Sequence, residues 1–215
     1  MRIAVLGGSF NPVHIGHLAL ADSVCSELGY DKVLFVPALN PPHKEMAFSG
    51  SVSAMDRLSM VRLACADDPR FSVEPCEIER AGISYTYDTV CFLREKYGDV
   101  LEDRLGLILG SDLHSGFRMW RRAQDLAKTC TLILARRPPV AGSGDFAREG
   151  WNAADGEFSA DDEPLFKDAL RLSNPELAVS SSQIRAAAAR GSGFKYLVPG
   201  AVFKYIKDGG LYADR

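Results

Sequence analysis

The feature that most constrains the fold of this chain is a set of short, wholly apolar runs, each followed by a glycine or a proline. Two such runs, residues 3–6 and 33–36, flank residues 16–29, where apolar side chains recur at helical spacing. A run that is apolar at every position is typical of a strand buried on both faces, as in parallel sheets. A strand, a helix and a strand within about 35 residues predict a βαβ unit.

The same alternation continues along the chain. Further strands are expected at residues 71–78, 105–109 and 131–134, and helices at residues 53–66, with Ser53 as N-cap, and 86–97. Buried strands separated by helices favour parallel pairing with right-handed crossovers. The sequence therefore predicts an α/β fold: a Rossmann-like, doubly wound, mainly parallel sheet with helices on both faces.

Residues 138–176 interrupt this pattern. Two prolines open the segment, and residues 141–168 carry eight acidic and two basic side chains. We predict a solvated, acidic excursion from a single domain that spans residues 1–215, with a regulatory or partner-binding loop as the alternative. Order is expected to return with a strand at residues 177–179, followed by helices at residues 183–190 and 199–208.

Composition narrows the class of protein. The chain has 25 Lys and Arg against 28 Asp and Glu, whereas nucleic-acid binders usually carry a basic excess. No apolar stretch approaches the roughly 20 residues of a membrane span, and the first residues do not resemble a signal peptide. We therefore expect a cytoplasmic protein without nucleic-acid or membrane partners. The five cysteines are odd in number and contain no CxxC pair, which predicts buried, reduced thiols.

The junction after the first strand carries the strongest chemical pattern, GGSFNPVHIGH at residues 7–17. Glycines there let a ligand approach the backbone, and the start of the next helix suits phosphate. His14 and His17 are three residues apart, so they share one face of the first helical turn. Either histidine alone would fit a packing or capping role, but together they predict donors to a polyphosphate. The string is neither a Walker A nor a GxGxxG motif.

This string resembles the HxGH nucleotidylyltransferase superfamily and, more narrowly, the bacterial nicotinate-nucleotide adenylyltransferase family. That family commonly has Asp where this chain has Asn11, and both are short turn-forming residues. The resemblance implies adenylyl transfer from ATP to nicotinate mononucleotide, which gives deamido-NAD and pyrophosphate in NAD biosynthesis. It also implies ATP contacts by the residues of this junction, namely Gly7, Gly8, Ser9, Phe10, His14 and His17.

Three further segments resemble the mononucleotide site of the same family. They are PPHK at residues 41–44, SYTYDT at residues 84–89, and LGSD at residues 109–112 followed by a tryptophan. The resemblance implies contacts to the mononucleotide from His43, Lys44, Ser84, Tyr85, Thr86, Gly110, Asp112, Leu113 and Trp120. Asp112 would accept from ribose hydroxyls and also serve ATP. On the residues alone, a solvated loop, a helix N-cap and a buried structural tryptophan remain alternatives.

The string VSSSQIR at residues 179–185 resembles the ISSTxIR motif of the superfamily. Serines at a helix start cap the helix and leave N–H groups for an anion. The resemblance implies that Ser181, Ser182 and Arg185 hold ATP phosphates, with Arg185 counted among the catalytic groups. Arg136 matches a position near the mononucleotide, although its neighbour Arg137 fits as well.

The mechanism that the resemblance implies needs no general base, because the attacking phosphate oxygen is already ionised. The mononucleotide would attack directly and in line, without a covalent intermediate, so catalysis would rest on positioning and charge stabilisation. Mg²⁺ would arrive with ATP, held by phosphate and water, without a metal site on the protein. The alternatives are the same chemistry on nicotinamide mononucleotide or another phosphate acceptor, or a non-catalytic nucleotide-binding module.

Overall fold

One sheet organises the chain in the computed structural model, which describes residues 1–40, 52–136, 160 and 163–213. The strands of the described residues are β1 (Ile3–Gly8), β2 (Lys32–Pro37), β3 (Phe71–Val73), β4 (Gly106–Gly110), β5 (Thr131–Ala135) and β6 (Leu170–Arg171). Their order is β3-β2-β1-β4-β5-β6, and every neighbouring pair is parallel. This is the strand order of a Rossmann fold, so the predicted architecture is confirmed.

Helices connect the strands and cover both faces of the sheet. They are α1 (Ile15–Leu28), α2 (Ala54–Cys65), α3 (Cys76–Arg80), α4 (Thr86–Tyr97), α5 (Ser111–His114), α6 (Ala123–Thr129), α7 (Ser181–Ala189) and α8 (Gly200–Asp208). Alternate residues of β1 point to opposite faces. Ala4 and Leu6 pack with α1, α2, α7 and α8, whereas Ile3 and Val5 pack on the side of α4.

The bounds of α4 and the N-cap of α2 agree with the sequence prediction. The helix predicted at residues 86–97 is α4, with the same bounds. Ser53 caps α2 as predicted, because its Oγ accepts from the backbone N–H of Asp56 at 3.0 Å. The helix predicted at residues 183–190 begins two residues earlier, at Ser181, because Ser180 is its N-cap and accepts from the Gln183 N–H at 3.2 Å.

Two predicted strands are wrong in extent or place. The strand expected at residues 71–78 ends at Val73, because Pro75 has no N–H for the ladder and instead precedes α3. The sixth strand is β6, inside the segment predicted as an excursion, and not residues 177–179. Leu172 beside it is buried and anchors this edge. Residues 138–159, 161 and 162 of that segment lie outside the described residues.

The cysteines fit the prediction with one exception. Cys25, Cys65, Cys76 and Cys130 are buried, and burial raises the pKa of Cys65 and Cys76 to about 12. Cys91 is exposed, so the prediction is wrong there, because α4 turns this position towards solvent. Within the described ranges, no helix has the length and apolar character that crossing a membrane requires.

Candidate active site

The central strand β1 ends at the carboxyl edge of the sheet, between β2 and β4, where the strand order reverses direction. Ligands bind at this point in open α/β sheets. A Cβ on Gly7 would meet no heavy atom of the described residues within 4 Å, whereas one on Gly8 would lie 3.1 Å from the Phe10 ring. A side chain at position 8 would therefore require the Phe10 ring to shift by a few tenths of an ångström.

His14 and His17 lie at the start of α1, as predicted. Their rings stack with centroids 3.7 Å apart, and His14 is the N-cap residue. The His14 backbone N–H donates to Nδ1 of His17 at 3.2 Å. Since Nδ1 accepts, the proton of a neutral His17 lies on Nε2, the form that donates to a phosphate oxygen. The edge of Phe10 supports this ring, with centroids 5.0 Å apart.

Gly16 lies where the start of α1 approaches the chain that leads into α7. A Cβ on Gly16 would lie 3.1 Å from Nδ1 of His14 and 3.0 Å from Cγ1 of Val179. Both distances are tighter than ordinary contacts, so any larger residue would push apart the His14 ring and the chain that leads into α7. The glycine of the HxGH string therefore lets the starts of α1 and α7 meet.

The predicted phosphate-binding residues of α7 contact the loop between β1 and α1. The Ser181 hydroxyl donates to the Pro12 carbonyl at 2.8 Å, and Nη1 of Arg185 donates to the Asn11 carbonyl at 2.7 Å. Nη2 of Arg185 donates to Oγ of Ser182 at 3.2 Å. Ser181 and Arg185 thus fix the shape of the loop for which the sequence predicts ATP contacts.

Arg57 of α2 is a further residue of this site that the sequence reasoning missed. It is only 2% exposed, and its Nη1 donates to the Ser9 carbonyl at 2.7 Å and to the Ala38 carbonyl at 2.6 Å. Burial lowers the pKa of this guanidinium. Arg57 therefore joins the loop after β1 to the loop after β2. The signal was present in the sequence, since residues 57, 60, 61 and 64 form one helical stripe that is otherwise apolar.

The turn before α4 joins the site from the other side. Ser84 is buried, and its Oγ accepts from the Leu39 N–H at 3.1 Å while its own N–H donates to the Asn40 carbonyl at 2.9 Å. Tyr85 is the N-cap residue of α4, and Thr86 begins the helix. The structure thus brings the SYT segment beside the chain that follows β2.

An arginine covers this helix start. The Arg121 guanidinium lies 4.6 Å from the centre of the Tyr85 ring, and its Nη1 pairs with Asp88 at 3.0 Å. The exposed fractions of these two charged side chains are 51% and 36%. Arg121 was not among the predicted site residues, although it directly follows Trp120.

The end of β4 brings Gly110, Asp112 and Leu113 to the same edge of the sheet. A Cβ on Gly110 would lie 2.5 Å from Oδ1 of Asp112, so only glycine allows this approach. The Trp120 ring packs 5.4 Å from Phe117, and its buried Nε1 has no hydrogen-bond partner among the described residues. Nε2 of the buried His114 donates to the Leu109 carbonyl at 3.1 Å, and burial lowers its pKa.

Arg136 follows β5 and is exposed. The side chain of Asn174 bonds both backbone polar groups of Arg136. Its Oδ1 accepts from the Arg136 N–H at 2.9 Å, and its Nδ2 donates to the Arg136 carbonyl at 2.9 Å. The chain after β5 is therefore fixed up to this residue. Arg137, His43 and Lys44 lie outside the described residues, so these predictions stay untested.

Comparisons with known proteins agree with this geometry. A family model described as cytidylyltransferase-like matches residues 5–187. A Treponema pallidum protein named "Probable nicotinate-nucleotide adenylyltransferase" is 42% identical over 212 residues, which cover 99% of each chain. A Borreliella afzelii protein of the same name is 34% identical over 222 residues, 100% of this chain and 98% of the other. The chain belongs to the nicotinate-nucleotide adenylyltransferase family. The predicted family and enzyme class, a nucleotidyltransferase, are confirmed.

A solved structure supports the fold of this nicotinate-nucleotide adenylyltransferase family member. The Plasmodium falciparum nicotinic acid mononucleotide adenylyltransferase complexed with NaAD superposes with a TM-score of 0.71 at 16% identity, covering 98% of this chain and 97% of that one. Nucleotidyltransferases generally use a divalent metal with ATP. In the part of the chain that the structure describes, no group of three or more His, Cys, Asp or Glu side chains could hold a metal ion.

Proposed function

We propose that this chain transfers the adenylyl group of ATP to nicotinate mononucleotide, releasing pyrophosphate and forming deamido-NAD in NAD biosynthesis. Relatives that are 42% and 34% identical to it bear the name of this activity. The observation that carries the proposal is the meeting of two helix starts at one strand end. The stacked His14 and His17 open α1, and Ser181 and Arg185 of α7 contact the loop that leads into it.

In the phosphate half of the site, donors surround the ATP phosphates. His14 and His17 donate to phosphate oxygens and offset the charge that builds on the α-phosphate and the leaving pyrophosphate. Ser182 and Arg185 hold the β- and γ-phosphates, since a guanidinium has five N–H donors and the two described bonds of Arg185 leave others. The backbone of residues 7–10 lies against the nucleotide, because Gly7 and Gly8 let it approach.

In the mononucleotide half, the start of α4 favours an anion. Tyr85 is the N-cap residue of this 12-residue helix, and among the described residues no side chain caps the helix by a hydrogen bond. The first N–H groups of α4 and the helix dipole therefore favour the nicotinate carboxylate. Ser84, Tyr85 and Thr86 form this contact. A neutral nicotinamide amide gains less from the same groups, which supports selectivity for nicotinate.

The remaining predicted residues complete the mononucleotide half. Asp112 accepts from ribose hydroxyls, with Gly110 and Leu113 beside it, and Trp120 stacks on the pyridine ring. His43, Lys44 and Arg136 supply cationic or donor groups for the mononucleotide phosphate.

The reaction is an in-line displacement in which the mononucleotide phosphate oxygen attacks the α-phosphorus of ATP. The oxygen is ionised at neutral pH, so the protein holds the two substrates in line and needs no general base. Mg²⁺ that enters with ATP would neutralise phosphate charge and would be held mainly by phosphate oxygens and water. His17 keeps its proton on Nε2 throughout, because Nδ1 accepts the His14 N–H.

Pyrophosphate release tests the proposal. The chain is incubated with ATP and Mg²⁺, with nicotinate mononucleotide and nicotinamide mononucleotide in parallel at matched concentrations. We expect strong release with the nicotinate acceptor, little with the nicotinamide acceptor and none without an acceptor. Equal rates with both acceptors would contradict the selectivity for nicotinate. No pyrophosphate release with either acceptor would contradict the proposed activity and favour a non-catalytic nucleotide-binding module.

A further inference from the structure

A hydrogen bond joins the two ends of the chain inside the site. The Tyr212 hydroxyl donates to Oδ1 of Asn11 at 2.6 Å, across 201 positions of sequence. Asn11 is 9% exposed, and its carbonyl also accepts from Arg185. Asn11 is thus held both at its side chain and at its backbone.

The backbone at Tyr212 is unusual in a way that serves this contact. Its φ is 65°, in the left-handed region that costs free energy for any residue with a Cβ. The Leu211 N–H donates to the Ile206 carbonyl of α8 at 3.0 Å, and Leu211 packs against the core. The end of α8 therefore fixes this conformation, which carries the phenol to the loop between β1 and α1.

Burial keeps the proton of the Tyr212 hydroxyl in place. Burial raises the pKa of the hydroxyl, and the neighbouring Arg185 and Arg57 only partly oppose that shift. The hydroxyl is thus neutral at pH 7 and donates to Asn11. Counting all four side chains, the loop is held at Ser9 by Arg57, at Asn11 by Arg185 and Tyr212, and at Pro12 by Ser181.

We propose that Tyr212 is a positioning residue for ATP, which acts through Asn11 on the loop between β1 and α1. The inference rests on the proposed function, because ATP is the ligand of that loop. Tyr212 does not touch substrate in this scheme. Its hydroxyl keeps the backbone of the loop and the adjoining His14 in the geometry that receives the phosphates, and such preorganisation acts on ATP but not on the mononucleotide.

The variant Tyr212→Phe removes only the hydroxyl. We expect kcat/KM for ATP to fall about tenfold, the effect of one buried hydrogen bond, while KM for nicotinate mononucleotide changes less than twofold. Equilibrium titration with Mg-ATP gives a second readout that does not depend on turnover, and the Kd should rise in Tyr212→Phe. Activity of the unaltered chain tests the proposed function separately.

A double-mutant cycle asks whether Tyr212 acts through Asn11. In the Asn11→Ala background, adding Tyr212→Phe should change kcat/KM for ATP less than twofold, because the acceptor is already gone. Tyr205→Phe is the matched control: this hydroxyl of α8 donates to Oδ1 of Asp56 in α2 at 2.9 Å and not to Asn11, and its loss should leave both KM values unchanged.

The cycle also defines what overturns the proposal. An equal loss in both backgrounds, an unchanged kcat/KM for ATP in Tyr212→Phe, or parallel changes in both KM values would each contradict the proposal that Tyr212 acts on ATP through Asn11. If Tyr212→Phe does not fold, Asn11→Ala removes the same bond from its other end. Unchanged ATP affinity in Asn11→Ala then contradicts the proposal, and an ATP-selective loss supports it.

Discussion

The two halves of the candidate site are held in different ways. In the phosphate half, groups of the loop between β1 and α1 accept partly buried hydrogen bonds from side chains that lie 48, 169, 174 and 201 positions away. In the mononucleotide half, the start of α4 is covered by an ion pair whose side chains are 51% and 36% exposed. The phosphate half is therefore fixed by long-range bonds from four side chains, whereas the start of α4 in the mononucleotide half also has an exposed ion pair over it.

The largest expected effect tests the phosphate half at His17. His17→Ala should lower kcat by about 10²–10³-fold, the loss typical of a donor to transition-state charge. His17→Gln is the matched control, because glutamine at this position restores a capping acceptor for the His14 N–H but no imidazole. Thermal melting should recover in His17→Gln while turnover does not. Recovery of turnover would assign His17 to capping alone.

The next effect tests the buried bonds themselves. Arg57→Met leaves the carbonyls of Ser9 and Ala38 without this donor, so we expect the free energy of unfolding to fall by about 3 kcal/mol. Arg62→Met in the same helix removes an exposed arginine and should cost less than about 0.5 kcal/mol. Urea unfolding measures both. Equal losses would mean that the guanidinium does not hold the loops.

A smaller effect lies in the mononucleotide half and depends on pH. Burial lowers the pKa of His114 below its ordinary 6.5, so the folded state favours the neutral ring. Below pH 6.5 the unfolded chain takes up the proton first, and the free energy of unfolding falls by up to about 1.4 kcal/mol per pH unit until the folded pKa is reached. Urea unfolding between pH 5 and 8 should show a shallower dependence in His114→Gln. An unchanged slope would exclude this histidine as its source.

The smallest effect concerns Arg121, the exposed arginine that covers the start of α4 in the mononucleotide half. Arg121→Met removes the contact with the Tyr85 ring and the pair with Asp88, so KM for nicotinate mononucleotide should rise about two- to fivefold. The free energy of unfolding should change by less than about 1 kcal/mol, as for an exposed ion pair. The exposed Arg118 nearby gives the control Arg118→Met, with no change in KM. A large loss of stability in Arg121→Met would remove the contrast between the halves.

The sequence predicted much of the architecture because its signals are local. Buried strands are apolar at every position. The helix at residues 86–97 follows from helical periodicity, and the N-cap at Ser53 follows from its hydroxyl side chain. The errors came where a local pattern competed with pairing. Residues 74–78 look extended, but Pro75 ends the ladder, and residues 170–171 became a strand because β5 offered an open edge.

For the site, the sequence by itself determined which two helix starts carry the HxGH and SSSQIR strings, to which we assign phosphate binding, because each string lies within one turn. Only the tertiary structure decided that these starts meet at Gly16, and that Arg57, Arg185 and Tyr212 converge on one loop. The physical reason is that a hydrogen bond between residues up to 201 positions apart depends on how the sheet and its helices pack, which no short stretch of sequence specifies.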